Sequence, residues 1–302
     1  MQLPTRCRLC PRQCGANRAA GETGRCGAGG TLLVARAALH HWEEPCLSGA
    51  PDAPTGSGTV FFTGCALGCC YCQNYAISQQ GLGKPIDAAR LRDIFLALQE
   101  KGAQNLNLVT ATQWLPWVLP ALRAARAEGL RLPVVYNTGG YETVETVRML
   151  DGIVDIWLTD YKYAAPALAA ELSRARDYPA VAEAALRQMI AQTGAPVYNA
   201  EGYLQRGVIV RHLVLPGHAA DSKAVLARLA AIRAEADGRA QAGGPPFLLS
   251  LMSQFTPFYK AADHGLGRRI TSYEYRQVVN EAIRLGLTEG YMQEKSSARE
   301  EY

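Results

Sequence analysis

Six short apolar runs recur along the chain, each followed by a stretch with apolar residues at helical spacing. The runs are Thr59–Thr63, Leu106–Thr110, Pro133–Asn137, Ile153–Asp160, Gly207–Leu215 and Phe247–Met252, and glycine, proline or polar turns flank most of them. Such runs read as buried strands. Between them, Asp87 is placed to cap a helix carrying Leu91, Ile94, Phe95 and Leu98 on one face. A second helix is expected from Leu115 to Glu128, stopped at Gly129. Others are expected over Tyr141–Leu150, Val181–Ile190 and Ala219–Glu235. Thr271 and Glu274 have capping-box spacing ahead of Tyr275, Val278 and Val279, with Gly286 past the end. Six βα units in series imply an α/β fold with a parallel sheet. A doubly wound sheet and a full or partial (β/α) barrel both satisfy this pattern, and in either the chemistry belongs at the C-terminal ends of the strands.

The first fifty residues break the pattern. They are rich in cysteine and glycine, show little periodicity, and lead into the Pro/Gly/Ser stretch Ala50–Gly58. The expected division is a Cys-rich extension over 1–50, the α/β body over 51–293, and a polar tail over 294–302. Hydrophobic residues make up 48% of the 302 and charged residues 19%, enough apolar material for a large core. The net charge of +4 is small and scattered, which argues against a nucleic-acid partner. No secretory apolar region opens the chain and no run approaches a membrane span, so a cytoplasmic protein without a membrane partner is expected.

All nine cysteines lie within the first 72 residues. An odd number of clustered thiols without an export signal points to metal or redox chemistry rather than a disulfide framework. The segment Gly64-Cys65-Ala66-Leu67-Gly68-Cys69-Cys70-Tyr71-Cys72 contains C-x3-C-x2-C directly after the first expected strand. Thiolates are the usual ligands of iron–sulfur clusters. Three of them hold three corners of a 4Fe–4S cube and leave one iron open, as a catalytic zinc site keeps one position free. An open iron can chelate the amine and carboxylate of S-adenosylmethionine (SAM), and an electron from the reduced cluster then breaks a C–S bond. Zinc with Cys70 as fourth ligand, or a cluster of buried free thiols, are the alternatives. Tyr71, just before the last cysteine, is placed to lie along the adenine. Ahead of the triplet, Cys7, Cys10, Cys14 and Cys26 offer a four-thiolate set, with Cys46 as an alternative fourth ligand; an auxiliary iron–sulfur cluster and zinc both fit.

These motifs resemble the radical SAM superfamily. The longer text resembles an uncharacterised group related to pyruvate formate-lyase activating enzymes. The resemblance is carried by Cys7-Arg8-Leu9-Cys10-Pro11-Arg12-Gln13-Cys14-Gly15, by Gly21-Glu22-Thr23-Gly24-Arg25-Cys26-Gly27, by His41-Trp42-Glu43-Glu44-Pro45-Cys46, and by Cys72-Gln73-Asn74-Tyr75. Asn105-Leu106-Asn107-Leu108-Val109-Thr110, the stretch from Val210 to His218, and Leu251-Met252-Ser253-Gln254 add to it, so that it covers nearly the whole chain. It implies a partial (β/α)6 barrel with the cluster at its open top. It also implies SAM contacts at Asn137 after the third strand, at Asp160 and Lys162 after the fourth, and at Arg211 on the next, with Gln254 where a histidine is common. Where those enzymes carry Gly-Gly-Glu, this chain has Val109-Thr110-Ala111-Thr112, which leaves the hydroxyls of Thr110 and Thr112 to accept the SAM amine.

From the residues alone, Asp160 and Lys162 share a strand face as paired charges at a strand end, suited to ribose or carboxylate or else to a structural ion pair. His212 and His218 read as packing or loop histidines. The expected activity is reductive cleavage of SAM to a 5′-deoxyadenosyl radical that takes hydrogen from a substrate. The resemblance suggests a glycine of a partner protein as that substrate and a flavodoxin or ferredoxin as electron donor. Radical modification of a small molecule, peptide or RNA is an alternative. So is a non-catalytic iron–sulfur or zinc protein acting in electron transfer or as an interaction module.

Overall fold

A computed structural model describes residues 2–50, 52–237 and 244–292; the tail expected over 294–302 lies outside them. Ten strands form one mostly parallel system. They are β1 (Leu32–His40), β2 (Ser57–Phe62), β3 (Lys84–Ile86), β4 (Leu106–Val109), β5 (Val134–Thr138), β6 (Ile156–Asp160), β7 (Val197–Tyr198), β8 (Leu204–Leu213), β9 (Leu248–Met252) and β10 (Gly290–Met292). The helices are α1 (Pro45–Ser48), α2 (Tyr75–Ser78), α3 (Ala88–Glu100), α4 (Leu115–Ala127), α5 (Val144–Met149), α6 (Pro166–Ser173), α7 (Tyr178–Thr193), α8 (Ala219–Asp237) and α9 (Ser272–Arg284). Among the described residues no helix is long and apolar enough to cross a membrane.

The sheet order is β10-β9-β8-β6-β5-β4-β2-β1-β3, with β7 beside β8. From β2 to β10 every neighbouring pair along this order is parallel. These seven strands stand in the order the chain makes them. The order shows none of the reversal at a switch point that marks a doubly wound sheet. Side chains alternate across each strand. Val134, Tyr136, Trp157, Val208, Val210, Leu249 and Leu251 pack outward against α3, α4, α5, α7, α8 and α9. Val135, Ile156, Leu158, Ile209 and Leu248 face the other way and meet Cys46 and Leu47 of α1. The layer of long helices thus covers one face, and the segment around α1 fills the other.

Three expectations are corrected. The first fifty residues hold a nine-residue strand, β1, antiparallel to β2, so part of the extension belongs to the main sheet. The helix expected from Tyr141 starts at Val144, because Thr143 is the residue whose hydroxyl accepts the Thr146 N–H; Tyr141 and Glu142 stay in the loop. The strand expected from Ile153 starts at Ile156, since residues 153 and 154 close the turn after α5 with N–H bonds to Leu150 O.

Candidate active site

The triplet loop leaves the C-terminal end of β2. At Gly64 the backbone is left-handed (φ 86°), and a Cβ there would stand 2.3 Å from Cys26 O. Only glycine fits both demands. Gly68 (φ 65°) makes the second turn. The sulfur of Cys65 faces the N–H groups of Leu67 and Gly68. Cys69 Sγ accepts from Ser173 Oγ at 2.9 Å, and Cys72 Sγ lies 3.3 Å from Ser78 Oγ. Burial, then the neighbouring Cys69, push Cys65 up to about 12 and raise Cys72 too. Thiols so placed that Cys65 and Cys72 resist ionisation suit a cationic centre, which supplies the missing positive charge. Cys70 lines a separate small pocket with Glu171, Arg174, Tyr259 and Lys260, and its backbone N–H donates to Leu172 O while its carbonyl accepts from Lys260 N. Among the described residues no three His, Cys, Asp or Glu side chains are gathered tightly enough for one metal ion. A four-iron cube takes its thiolates at separate corners, a wider set than a single ion needs.

Beside this loop lies a half-buried charged set from the neighbouring strand ends. Lys162 Nζ meets Asp160 Oδ2 at 2.6 Å, and Arg211 Nε meets Asp160 Oδ1 at 2.9 Å. Arg211 also donates to Asn137 Oδ1 at 2.7 Å and reaches Glu43 Oε2 at 3.3 Å. Glu43 Oε1 accepts from Asn107 and Asn137. Burial works against the Asp160 charge, but Lys162 and Arg211 outweigh it and hold the carboxyl below its usual range. Burial likewise opposes the Lys162 charge; Asp160, Tyr71 and Cys69 more than restore it. The same ammonium favours the Cys72 thiolate. A Cβ at Gly139 would sit 2.7 Å from Leu67 Cδ1 and 3.5 Å from Lys162 Cε, so the loop after β5 closes between cysteine loop and charged set. Asn137, Asp160, Lys162 and Arg211 are therefore one constellation next to Cys69 and Cys72.

No family model matches the chain. It is similar to the uncharacterized protein MJ0674 of Methanocaldococcus jannaschii, with 27% identity over 288 residues, 93% of this chain and 75% of that protein.

Other sequence candidates fall outside the constellation. The Tyr71 ring packs at 62° against Phe255, and its hydroxyl lies 2.6 Å from Tyr163 OH, which continues to Ser173 Oγ and so to Cys69 Sγ. Thr110 adopts a left-handed φ of 56°, and its carbonyl accepts from Gln113. Thr112 is buried and donates to Glu142, away from Asp160. Gln254 is exposed. His212 is a packing histidine, with Nδ1 2.7 Å from Tyr161 O and Nε2 2.9 Å from Ser222 Oγ.

Glu43 and Glu44 enter the constellation from a segment the sequence marked only as part of a motif. Both are raised, by burial first, with Arg211 pulling the other way. The available signal was a pair of adjacent carboxylates stopped by Pro45 in a stretch with no helical face to carry them.

The N-terminal thiols of Cys7, Cys10, Cys14 and Cys26 lie within electrostatic reach of one another. Cys46 is apart, in the inner core against Tyr291.

Proposed function

We propose that this chain is a radical SAM enzyme, built as a partial (β/α)6 barrel whose open top carries the triplet loop. The observation that carries the reading is the convergence of the three thiols with Lys162, Asp160, Arg211 and Asn137 at the C-terminal ends of neighbouring parallel strands. That is where α/β sheets hold ligands. Cys65, Cys69 and Cys72 would hold a 4Fe–4S cluster, whose supplied chemistry is the electron that divides SAM into methionine and a 5′-deoxyadenosyl radical. The chain's own residues bind and orient. Arg211 and Lys162 present donors to a carboxylate, and Asp160 and Asn137 keep both cations in place while offering acceptors to ribose hydroxyls. The Ser173 and Ser78 hydroxyls beside Cys69 and Cys72 stabilise thiolate over thiol. The outer helices and α1 keep bulk water from either face, which strengthens each of these contacts. A flavodoxin or ferredoxin fits as electron donor and a glycine of a partner protein as radical acceptor, by analogy alone.

The test is anaerobic reconstitution of the full chain and of its Cys65→Ala/Cys69→Ala/Cys72→Ala variant, followed by dithionite and SAM. Wild type is expected to release 5′-deoxyadenosine and methionine in equal amounts, and the variant neither. Iron-loaded wild type that leaves SAM intact rules the reading out and leaves the non-catalytic alternative.

A further inference from the structure

One carboxylate of the charged constellation does not come from a strand end. Glu43 sits on the four-residue connection between β1 and α1, and its side chain is 8% exposed. Three donors from three strands converge on it: Asn107 Nδ2 on β4 at 3.1 Å, Asn137 Nδ2 on β5 at 3.2 Å and Arg211 Nη1 on β8 at 3.3 Å. These are the longest contacts of the set, since Arg211 holds Asp160 at 2.9 Å and Asn137 Oδ1 at 2.7 Å. The main chain of the connection adds little. Among the described residues no main-chain carbonyl accepts from the N–H of Trp42 or Glu43, and the Trp42 ring is half exposed. The carbonyls of Glu43 and Glu44 bond only to α1, at Leu47 and Ser48. The arm is therefore held to the sheet through its acidic side chains.

Two acceptors beside Glu43 have no donor among the described residues: Asn107 Oδ1, on the same amide that bonds Glu43, and Glu44 Oε2. Buried acceptors are ordinarily paired. Glu43, Glu44 and Asp160 also outnumber Arg211 and Lys162, three acids to two bases. A permanent ion pair explains the Glu43 contacts but neither the unpaired acceptors nor the surplus acid. A zwitterionic α-amino-acid end explains all three. Its carboxylate suits the donors that Glu43 occupies, and its ammonium supplies the donor that the acceptors lack. Exchanging Glu43 for it leaves two acids against two bases. We infer that Arg211, Asn107 and Asn137 form a receptor for an α-amino-acid end, with Glu43 as a built-in competitor that the ligand displaces. SAM and an amino-acid radical acceptor both carry such an end. Which of them enters rests on the radical SAM reading, whereas the receptor rests on the geometry alone. A tethered carboxylate acts at an effective concentration on the order of millimolar. The ligand must therefore bring further contacts to displace it.

Two measurements on the full chain test this. The first needs neither metal nor SAM. Glu43→Ala is melted in sodium chloride, sodium acetate or glycine, with ionic strength held equal. Acetate restores the lost carboxylate, and glycine adds the ammonium. The melting midpoint is expected to rise saturably with both, and further with glycine. Wild type and Glu43→Ala/Arg211→Met are expected not to respond. No more recovery with acetate than with chloride overturns the receptor, and acetate matching glycine overturns the ammonium site. The second measurement follows the arm in the iron-loaded chain with a protease that cuts after glutamate, counting fragments that end at Glu43 by mass. SAM is expected to speed this cut by roughly tenfold or more, because a displaced Glu43 is open to the protease. A cut speeded by free glycine and not by SAM assigns the receptor to the radical acceptor instead. Glu43→Gln keeps the side chain's shape and competes more weakly, so it is expected to bind the same ligand about tenfold more tightly than wild type. This comparison does not depend on how Glu43→Ala folds. A cut that neither ligand speeds, or Glu43→Gln binding no more tightly, overturns the exchange. Iron-loaded chain that binds no SAM overturns the radical reading, and the acetate and glycine melts then still decide the receptor.

Discussion

Glu142 shows how far a single position escapes the sequence. It sits in the loop before α5, 3% exposed. Its Oε1 accepts from Thr112 Oγ1 at 2.7 Å and Thr138 Oγ1 at 2.6 Å, while Oε2 has no partner among the described residues. Burial raises its carboxyl from 4.5 to about 7, against the pull of the two hydroxyls. Between those values the folded chain holds a proton that the unfolded chain has released. Stability therefore falls as pH climbs through this window and levels off above it. The full loss is about 3 kcal/mol. Glu142→Gln removes the ionisation, so in chelator-treated protein the urea midpoint of wild type is expected to drop against that of Glu142→Gln between pH 4.5 and 8. Parallel midpoints across this range would mean that Glu142 ionises as an exposed carboxyl does. Its partners come from the ends of two strands, and no local pattern joins them. Glu43 was hidden for the same reason, since its contacts arrive from β4, β5 and β8. By contrast, Asp160, Lys162 and Arg211 interrupt apolar strands, so the pattern itself exposed them.

Elements were legible where apolar faces were long. The Asp87 cap of α3 and the full Thr271–Glu274 capping box of α9 stand where side-chain spacing put them. Strand β1 escaped because most of its residues are only partly buried and Arg36 breaks the alternation. Strands β3, β7 and β10 are two or three residues long, too short for any periodicity. Helix α6 was passed over because four of its eight residues are alanine or proline. The triplet loop was found from its cysteines, but its dependence on Gly64 needed the fold. Gly64→Ala is expected to cost at least about 1–2 kcal/mol from the left-handed backbone alone. The clash with Cys26 O adds to this, so the N-terminal segment should also become more sensitive to protease. A normal melting temperature and an unchanged digestion pattern would show that the loop absorbs the methyl group.

At the scale of the molecule, two cores share one sheet. The outer core runs under all the long helices, whereas the inner one has, among the described residues, eight buried hydrophobic residues. Its centre is Leu47, with no exposed surface, whose carbonyl accepts from Asn105. So small a core cannot repack around a hole. Leu47→Ala is expected to cost about 2–5 kcal/mol, measured by denaturant unfolding, and to loosen Glu43 and Glu44 with it. A loss below about 1 kcal/mol would mean that the inner face is wet rather than packed. The same face also sets an order of assembly. Cys46 on α1 is hydrogen-bonded to Tyr291 on β10, and these two residues lie near opposite ends of the described chain. Contacts between partners so distant in sequence form slowly, because the loop they close must first be drawn together. On the ribosome, α1 is made early and then waits until the last strand of the sheet has been synthesised. Glu43 is bonded from β4, β5 and β8, and Glu44 faces Ser250 on β9, so the acidic pair finds its partners only in a chain complete through β9, and the charged constellation is among the later parts of the fold to be assembled.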